Sequence, residues 1–450
     1  MKVNISKNVE TVFFDFELDE QDELLLDQPV HMANRGCFFQ LPNEFDESTH
    51  PDLIALSVVL CVYPFVGKRI ELPFSISQEF SDLFYKVSKK EIGPISKTVK
   101  PRKIENGKPS LSYSGGVDST AALALMPKDT KVFFLDRVIP SYTRTLYDKT
   151  APLSALSDVK KDGYEAYKIP SNMEYLRHRV GFPVDIATAA PILLSADSLS
   201  IDSIGFGMVM ESAYRVGHEK YLNYIDRVHY VRWGALFDIV GCSFFQPVAG
   251  LSEVATSIIN EKYNISNMTR SCMRGGLGDS CGKCVKCFRK SLLEGAITSK
   301  GLDFDRVSKN VNSREVLKTI GVENIKHENV YRFIAQRLSK SDGLISKLFN
   351  KDSSYFVSQL IDRVEYPDED VKWMERWYPK SIELIPEKYQ AEFKERLNNF
   401  VKDMDQEDID FVESWDISGL DVDRSKAEKF KNYLNDLIQD EKLKDYLEAV

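Results

Sequence analysis

The sequence predicts an α/β protein, with a Rossmann-like parallel sheet at its centre, a small α+β unit before it and a helical region after it. Three observations carry that prediction. From Ser110 onward, short apolar runs alternate with helix-length segments, the pattern of parallel strands joined by crossover helices. One of those runs ends in Ser114-Gly-Gly-Val-Asp-Ser119 and passes straight into an alanine-rich helical stretch. The two flanks differ from the centre: period-two alternation precedes it, and charged, helically spaced sequence follows it.

Within 1–89, the unit expected to be α+β, Thr11–Leu18 places Val12, Phe14, Phe16 and Leu18 on one face, as a half-buried strand does. Gly36–Leu41 and Arg69–Leu72 are further strands, Pro51 to Tyr63 an apolar helix and Ser77–Val87 an amphipathic one. Residues 90–109 are rich in charge, proline and glycine without periodicity, and read as a linker. The core, 110–300, has candidate strands Leu111–Tyr113, Lys131–Leu135, Glu165–Ile169, Ser203–Gly207 and Gly241–Gln246. Its candidate helices are Ser119–Met126, Ile186–Leu199, Leu251–Asn260 and the stretch from Cys287 to Leu293. Residues 301–450 read as helices, including Ser313–Ile320, Val330–Leu338, Phe356–Val364 and Lys426 to the end. Trp373 and Trp377, four apart, are expected in packing.

The 450 residues are 43% hydrophobic and 28% charged, which excludes disordered and fibrous classes. The net charge of −9 sits mostly in residues 301–450, where 32 acids face 24 bases. A near-neutral front and an acidic back argue against a dedicated nucleic-acid binder. No apolar stretch is long enough to span a bilayer, and no apolar leader opens the chain, so the expected location is the cytoplasm.

The glycine turn is the sharpest chemical feature. A strand entering a Gly115-Gly116 turn that opens a helix aims free backbone N–H groups and the positive helix end at one point, a receptor for phosphate oxygens. Ser114 and Ser119 add hydroxyl donors, Ser112, Val117, Asp118 and Thr120 complete the predicted phosphate-binding stretch, and Asp136, at the end of the next strand, joins it. The Walker lysine is missing, so a P-loop ATPase is excluded. Asp118 needs Mg2+ or the helix end to offset its charge beside a polyphosphate; a plain helix cap is the bland alternative.

Of seven cysteines, Cys272, Cys281, Cys284 and Cys287 follow C-x8-C-x2-C-x2-C spacing. Four thiolates can close a tetrahedral shell, which predicts structural Zn2+; an iron–sulfur cluster and a metal-free thiol group are the competing readings. Cys37, Cys61 and Cys242 stand in apolar surroundings.

The string SGGVDS resembles the signature of the PP-loop ATP pyrophosphatases, which have an adenine nucleotide alpha-hydrolase-like fold and split ATP into AMP and pyrophosphate. Together with SC…CGKCVKC about 155 residues later, it resembles the 7-cyano-7-deazaguanine synthase (QueC-like) branch. The resemblance spans Ser110 to Leu293 and also rests on Gln246-Pro-Val-Ala-Gly-Leu-Ser-Glu253 and on Gly205-Phe-Gly207 to Arg215. It implies ATP, Mg2+ and Zn2+ as cofactors, and activation of a deazapurine carboxylate for reaction with ammonia. It implies Asp118, Ser119, Lys286 and Arg289 as catalytic residues and Glu211, Tyr214 and Arg215 as substrate contacts. Relatives encoded in bacterial anti-phage operons are taken to join a deazapurine to a protein amine, which makes an operon-encoded protein partner a further expectation.

The departures are Lys290 where the branch carries arginine, a missing glycine–glutamine pair after Asp136, and long extensions at both ends. Glu211 has a competing role as a helix cap. Arg215, Lys286 and Arg289 compete with plain surface bases. His218 and His229 read as structural, since neither has a catalytic or metal partner at a suitable spacing. Tyr142 and Arg144 are nucleotide candidates by position alone. Thiolation of another acceptor requires a reactive cysteine, and Cys242 is poorly placed for that. A non-catalytic nucleotide-binding scaffold is the remaining class.

Overall fold

The computed structural model describes residues 1–141, 147–218, 220–263, 269–270, 272, 274–277, 280–282, 284–298, 316, 327–340, 359–360, 362–364, 371–418 and 424–448. Twelve strands are described among them: β1 Lys2–Asn8, β2 Thr11–Glu17, β3 His31–Met32, β4 Gly36–Gln40, β5 Arg69–Ile76, β6 Glu91–Ile95, β7 Lys108–Ser112, β8 Lys131–Arg137, β9 Ala166–Ser171, β10 Arg177–His178, β11 Ile201–Gly205 and β12 Ser243–Phe245. The helices up to the cysteine cluster are α1 Glu20–Glu23, α2 Pro51–Val62, α3 Gln78–Ser88, α4 Val117–Leu125, α5 Thr150–Lys161, α6 Ala190–Leu194, α7 Met210–Ala213, α8 Val228–Ile239, α9 Glu253–Lys262 and α10 Val285–Ile297.

Ten strands form one α/β sheet in the order β12-β11-β7-β8-β9-β4-β2-β1-β5-β6. The half from β12 to β9 is parallel throughout. Here β8, Lys-Val-Phe-Phe-Leu-Asp-Arg, is buried along most of its length, as a strand covered by helices on both faces must be. The other half begins with antiparallel pairing of β9 to β4, β4 to β2 and β2 to β1, and returns to parallel at β5 and β6. Strand β2 keeps the alternation of one buried face, with Val12, Phe14 and Phe16 inside.

The N-terminal unit is therefore continuous with the core sheet. Phe39 of β4 pairs with Ser171 of β9. Helix α2 is apolar on all sides and is buried between the two halves, where Ser57 donates to the Ala190 carbonyl at 2.6 Å. The expected linker at 90–109 contains a strand: β6 pairs in parallel with β5, Ile70 opposite Ile92. Its Pro94 is tolerated because β6 lies at the sheet edge.

Other differences follow from local chemistry. The expected helix Ile186–Leu199 is a 3-10 turn, Ala187–Ala189, followed by the short α6, whose start carries Pro191. Helix α8 has no counterpart among the expected helices, and neither β1, where Val3 and Ile5 alternate with polar residues, nor α5, where Ala151, Ala155, Leu156 and Val159 keep helical spacing, was among the expected elements. Val330–Leu338 lies within the helix Glu328–Lys340 and Lys426 onward within Arg424–Glu448. Ser313–Ile320, apart from Val316, and much of Phe356–Val364 lie outside the described residues.

The segment from 371 onward wraps the end of the parallel half. Gln246 N–H donates to the Leu384 carbonyl at 3.0 Å, Tyr378 N–H to Gly250 at 2.9 Å and Ser252 Oγ to Met374 at 2.6 Å. Trp373 and Trp377 are both buried, packing against Trp415 and Phe393 respectively. Among the described residues no helix is long and apolar enough to cross a membrane.

Candidate functional site: a glycine turn between two cavities

Strand β7 ends at Ser112, in the middle of the parallel half, and the chain turns through Ser114-Gly115-Gly116 into α4. Gly115 has φ +75°, a backbone state that a side chain would strain. Gly116 is the N-cap of α4, in extended conformation and without a side-chain cap. The first N–H groups of a helix have no partner within it, so this turn presents donors where the sheet ends.

Side chains fix the turn. Ser114 Oγ and Ser119 Oγ lie 3.0 Å apart, and Gly116 N–H donates to Ser114 Oγ at 3.3 Å. Thr120 Oγ1, buried below, donates to the Gly116 carbonyl at 2.9 Å. Asp118 accepts from Thr256 Oγ1 at 2.9 Å, and Asn260 Nδ2 donates to the Val117 carbonyl at 2.9 Å, so α9 holds the first turn of α4 from outside. Gly207, after β11, passes so close that a Cβ there would lie 2.7 Å from Ser119 N.

A cavity of about 340 Å³ opens on one side of the turn. Ser112, Ser114 and Ser119 line it with Phe134, Leu135 and Phe206. Ser112 Oγ donates to Thr188 Oγ1 at 2.7 Å, on the same wall. Arg137, also lining it, pairs with Glu174 at 3.0 Å and lies over the rings of Tyr147 at 4.7 Å and Phe182 at 5.3 Å. Apolar walls with a few fixed polar groups are the composition of a small-molecule site.

On the other side lies a cavity of about 390 Å³, lined by Val117, Asn260, Arg270, Lys286 and Lys290 together with the cysteine loop. That loop is tied to the turn: Arg270 N–H donates to the Gly115 carbonyl at 2.6 Å. A Cβ on Gly116 would sit 4.0 Å from Lys286 Nζ.

The ligand atoms of Cys272, Cys281, Cys284 and Cys287 all lie within 4.8 Å of one another, so the four could hold a metal ion. Tetrahedral Zn–S bonds of about 2.3 Å put sulfurs roughly 3.8 Å apart, and Cys281 Sγ and Cys287 Sγ are 3.8 Å apart. Cys272 Sγ accepts the Cys281 N–H at 3.3 Å, and Cys284 Sγ, capping α10, accepts the Cys287 N–H at 3.4 Å. Burial works against a Cys272 thiolate, but hydrogen bonds from Cys281 and Arg274 outweigh it and lower the thiol's pKa. Such bonds orient and stabilise thiolate ligands.

Below the turn is a buried ionic cluster. Glu253, the first residue of α9, pairs with Arg289 at 2.9 Å and Lys290 at 2.8 Å. Burial opposes its charge, but these two cations and His327 hold its carboxyl well below the usual range. Lys290 Nζ is also 3.9 Å from Asp118.

Five of the residues expected at the site are engaged with, or packed among, other protein groups. Arg289 is buried and pairs with Glu253, Nε at 3.0 Å and Nη2 at 2.9 Å. Glu211 is fully buried and caps α9, accepting the Glu253 N–H at 3.1 Å on each oxygen and Asn329 Nδ2 at 2.8 Å. Burial and the Glu253 charge push its carboxyl up to about 7. Tyr214 is buried and stacks on Tyr221, 5.9 Å between ring centres. Arg215 follows it at φ +62° and is not among the residues lining either cavity. Asp136 is buried and pairs with Lys149 at 3.2 Å and Lys168 at 3.8 Å.

Tyr142 and Arg144 lie outside the described residues. His229 bridges Tyr224 Oη at 2.9 Å and Asp185 at 3.1 Å, and the His218 ring lies 5.7 Å from that of His327. Cys242 is buried and its thiol is pushed up to about 12 by desolvation. Sequence reading missed Thr256, Asn260, Gly207 and Arg137. For the first two a signal existed: Thr256 and Asn260 are four apart and so share one face of the expected helix Leu251–Asn260.

Residues 232–416, which begin in α8 and include the cysteine loop but not the glycine turn, match the model of a family described as a family of unknown function (DUF6395). No curated protein matches the chain, and no solved structure does.

Proposed function

We propose that this chain is an AMP-forming ATP pyrophosphatase of the PP-loop kind that activates a carboxylate, with 7-carboxy-7-deazaguanine as the favoured acid. The observation that carries the reading is the Ser114–Ser119 turn: two hydroxyls and a helix N-terminus at the rim of a 340 Å³ cavity, where the parallel strands end.

The base and ribose of ATP would occupy that cavity, against Phe134 and the Arg137–Tyr147 stack, with the phosphates over the turn. A carboxylate oxygen attacks the α-phosphorus, a C–O–P linkage forms, and the bond to the β-phosphate oxygen breaks. Pyrophosphate departs with the electron pair. An amine nitrogen then attacks the acyl carbon, AMP leaves, and the nitrogen gives up a proton to solvent. Ammonia would give an amide, open to dehydration to a nitrile in a second round; a protein amine would give a conjugate. No side-chain nucleophile is needed, because donors aimed at developing phosphate charge and the alignment of two reactants supply the rate. Asp118, beside the phosphates, would hold Mg2+ together with them. Cys272, Cys281, Cys284 and Cys287 would hold Zn2+, which fastens the loop after Arg270 to the start of α10, where Lys286 and Lys290 stand.

Sulfur transfer is disfavoured by the inert Cys242 thiol, since thiolation needs a thiolate. The direct test is incubation with ATP, Mg2+ and 7-carboxy-7-deazaguanine, with products identified by mass spectrometry. AMP appearing only with the acid supports activation. AMP absent with every acid and amine offered would leave a nucleotide-binding scaffold.

A further inference from the structure

We propose that Asp185, braced by His229 and Tyr224 in the wall of the 340 Å³ cavity, binds the amine nucleophile as a cation and takes up its proton. The inference rests on the AMP-forming reading and deepens it, naming a catalytic residue for the second half of that reaction.

Three segments build the arrangement. Asp185 lines the same cavity as Ser114 and Ser119. Three residues further on, Thr188 accepts from Ser112 Oγ at 2.7 Å, which fastens this segment to the end of β7. Three residues of chain span at most about 11 Å, so Asp185 is kept near the strand end where the turn begins. From α8, His229 meets an Asp185 oxygen through Nε2 at 3.1 Å, and its Nδ1 lies 2.9 Å from Tyr224 Oη. Tyr224 is fully buried and the His229 side chain is 19% exposed, whereas that of Asp185 is 63% exposed. The carboxylate is therefore the open end of a row whose other members are sunk in the protein. Support of that kind holds a functional side chain in one rotamer. The pair joins residues 44 apart in the chain, so sequence spacing reads His229 as structural.

Charge decides what the carboxylate meets. Among the described residues, Arg137 and Asp185 are the charged side chains of this cavity wall, and Arg137 is matched by Glu174. Desolvation works against the Asp185 carboxylate, but the hydrogen bond and charge of His229 outweigh it and lower its pKa. An anion here repels the phosphates and the acid, and attracts the one reactant that is a cation, since amines are largely protonated at neutral pH. The amine first gives one proton to Asp185, and through it to solvent. Its lone pair then forms the N–C bond to the acyl carbon, and the C–O bond breaks with its electrons on AMP. A second N–H proton leaves by the same carboxylate. Asp185 touches the nucleophile; His229 and Tyr224 are positioning residues.

The test gives the metal-loaded full chain ATP, Mg2+ and 7-carboxy-7-deazaguanine, with ammonium chloride in one arm and glycinamide in the other. The productive arm tells ammonia from a peptide amine. In that arm Asp185→Asn is expected to lower kcat/KM for the amine at least about tenfold, the scale of one hydrogen bond to a charged group. ATP–pyrophosphate exchange driven by the acid, which reads the first half alone, is expected to keep its wild-type rate. His229→Asn is expected to raise KM for the amine while kcat at saturating amine stays near wild type. An unchanged kcat/KM in Asp185→Asn would overturn the proposal. So would an equal loss of exchange, which would put Asp185 on the ribose or on Mg2+. Amine binding is also read without turnover, from the His229 ring signals in NMR spectra of histidine-labelled protein titrated with the same two amines. A saturable shift in wild type, absent in Asp185→Asn, is expected; no shift in wild type would overturn the site. A saturable shift alongside no AMP from any acid would leave the amine site standing and remove the activation chemistry.

Discussion

Ser119 and Asp118 do different work in the same turn. Ser119 Oγ is 3.0 Å from Ser114 Oγ at the cavity rim, whereas Asp118 reaches outward to Thr256. Ser119→Ala and Asp118→Ala are each expected to lower AMP formation at least 100-fold, the scale of losing one donor or charge at a reacting phosphate. Their melting temperatures should stay within a few degrees of wild type; a variant retaining a tenth of wild-type AMP release would refute that role. Gly207→Ala acts by a different route. Its Cβ, 2.7 Å from Ser119 N, would push on the start of α4. A cost of about 1–3 kcal/mol by urea denaturation, together with weaker ATP binding, is expected. Glu211 gives a pH prediction. Its carboxyl titrates near 7 in the fold against 4.5 when free, so between those values the folded chain holds the extra proton. The stability this contributes is complete below about 4.5 and lost as pH rises through 7, on the order of 3 kcal/mol in all. Glu211→Gln should flatten the fall in urea midpoint between pH 5 and 8; an unchanged slope would show that Glu211 does not titrate there.

At the scale of elements, the cysteine loop and the glycine turn form one unit. The Arg270–Gly115 hydrogen bond joins them directly, and α10 begins at the residue after Cys284. Metal binding to such a loop contributes to folding itself. Cys284→Ser is expected to lower metal content and soluble yield. Chelation of wild-type protein should reduce ATP affinity as well as melting temperature, and ATP affinity that survived complete metal removal would separate the two elements. The spacing of the cysteines was legible in the sequence because the ligands lie within sixteen residues. That the loop is tied back to the glycine turn through Arg270 and Gly115 was not legible, since it depends on a contact between residues 155 apart in the chain.

The whole molecule depends on a single sheet. Sequence reading divides it after residue 89, where charge, proline and glycine obscure a strand five residues long. In the structure β4 pairs with β9, and α2 sits under α6 with its apolar surface buried all round. Removing 1–95 would take α2 and β4 away, uncover the buried apolar residues of α6 that α2 packs against, and leave β9 as an open edge. A chain starting at residue 96 is expected to aggregate, with no cooperative thermal transition; a soluble fragment that melts cooperatively and binds ATP would contradict the continuity of the two halves.

What the sequence determined by itself is local: the strand–turn–helix that holds Ser114 to Ser119, the four-cysteine spacing, and the apolar runs of the parallel half. Each is set by neighbours within one or two turns of chain, so residue order suffices. The tertiary structure alone decided that Glu211, Arg289 and Asp136 turn to protein partners, that the N-terminal strands complete the sheet, and that two cavities flank one turn. Those outcomes depend on which distant segments meet and in what register, and backbone pairing and charge burial are settled only when they do.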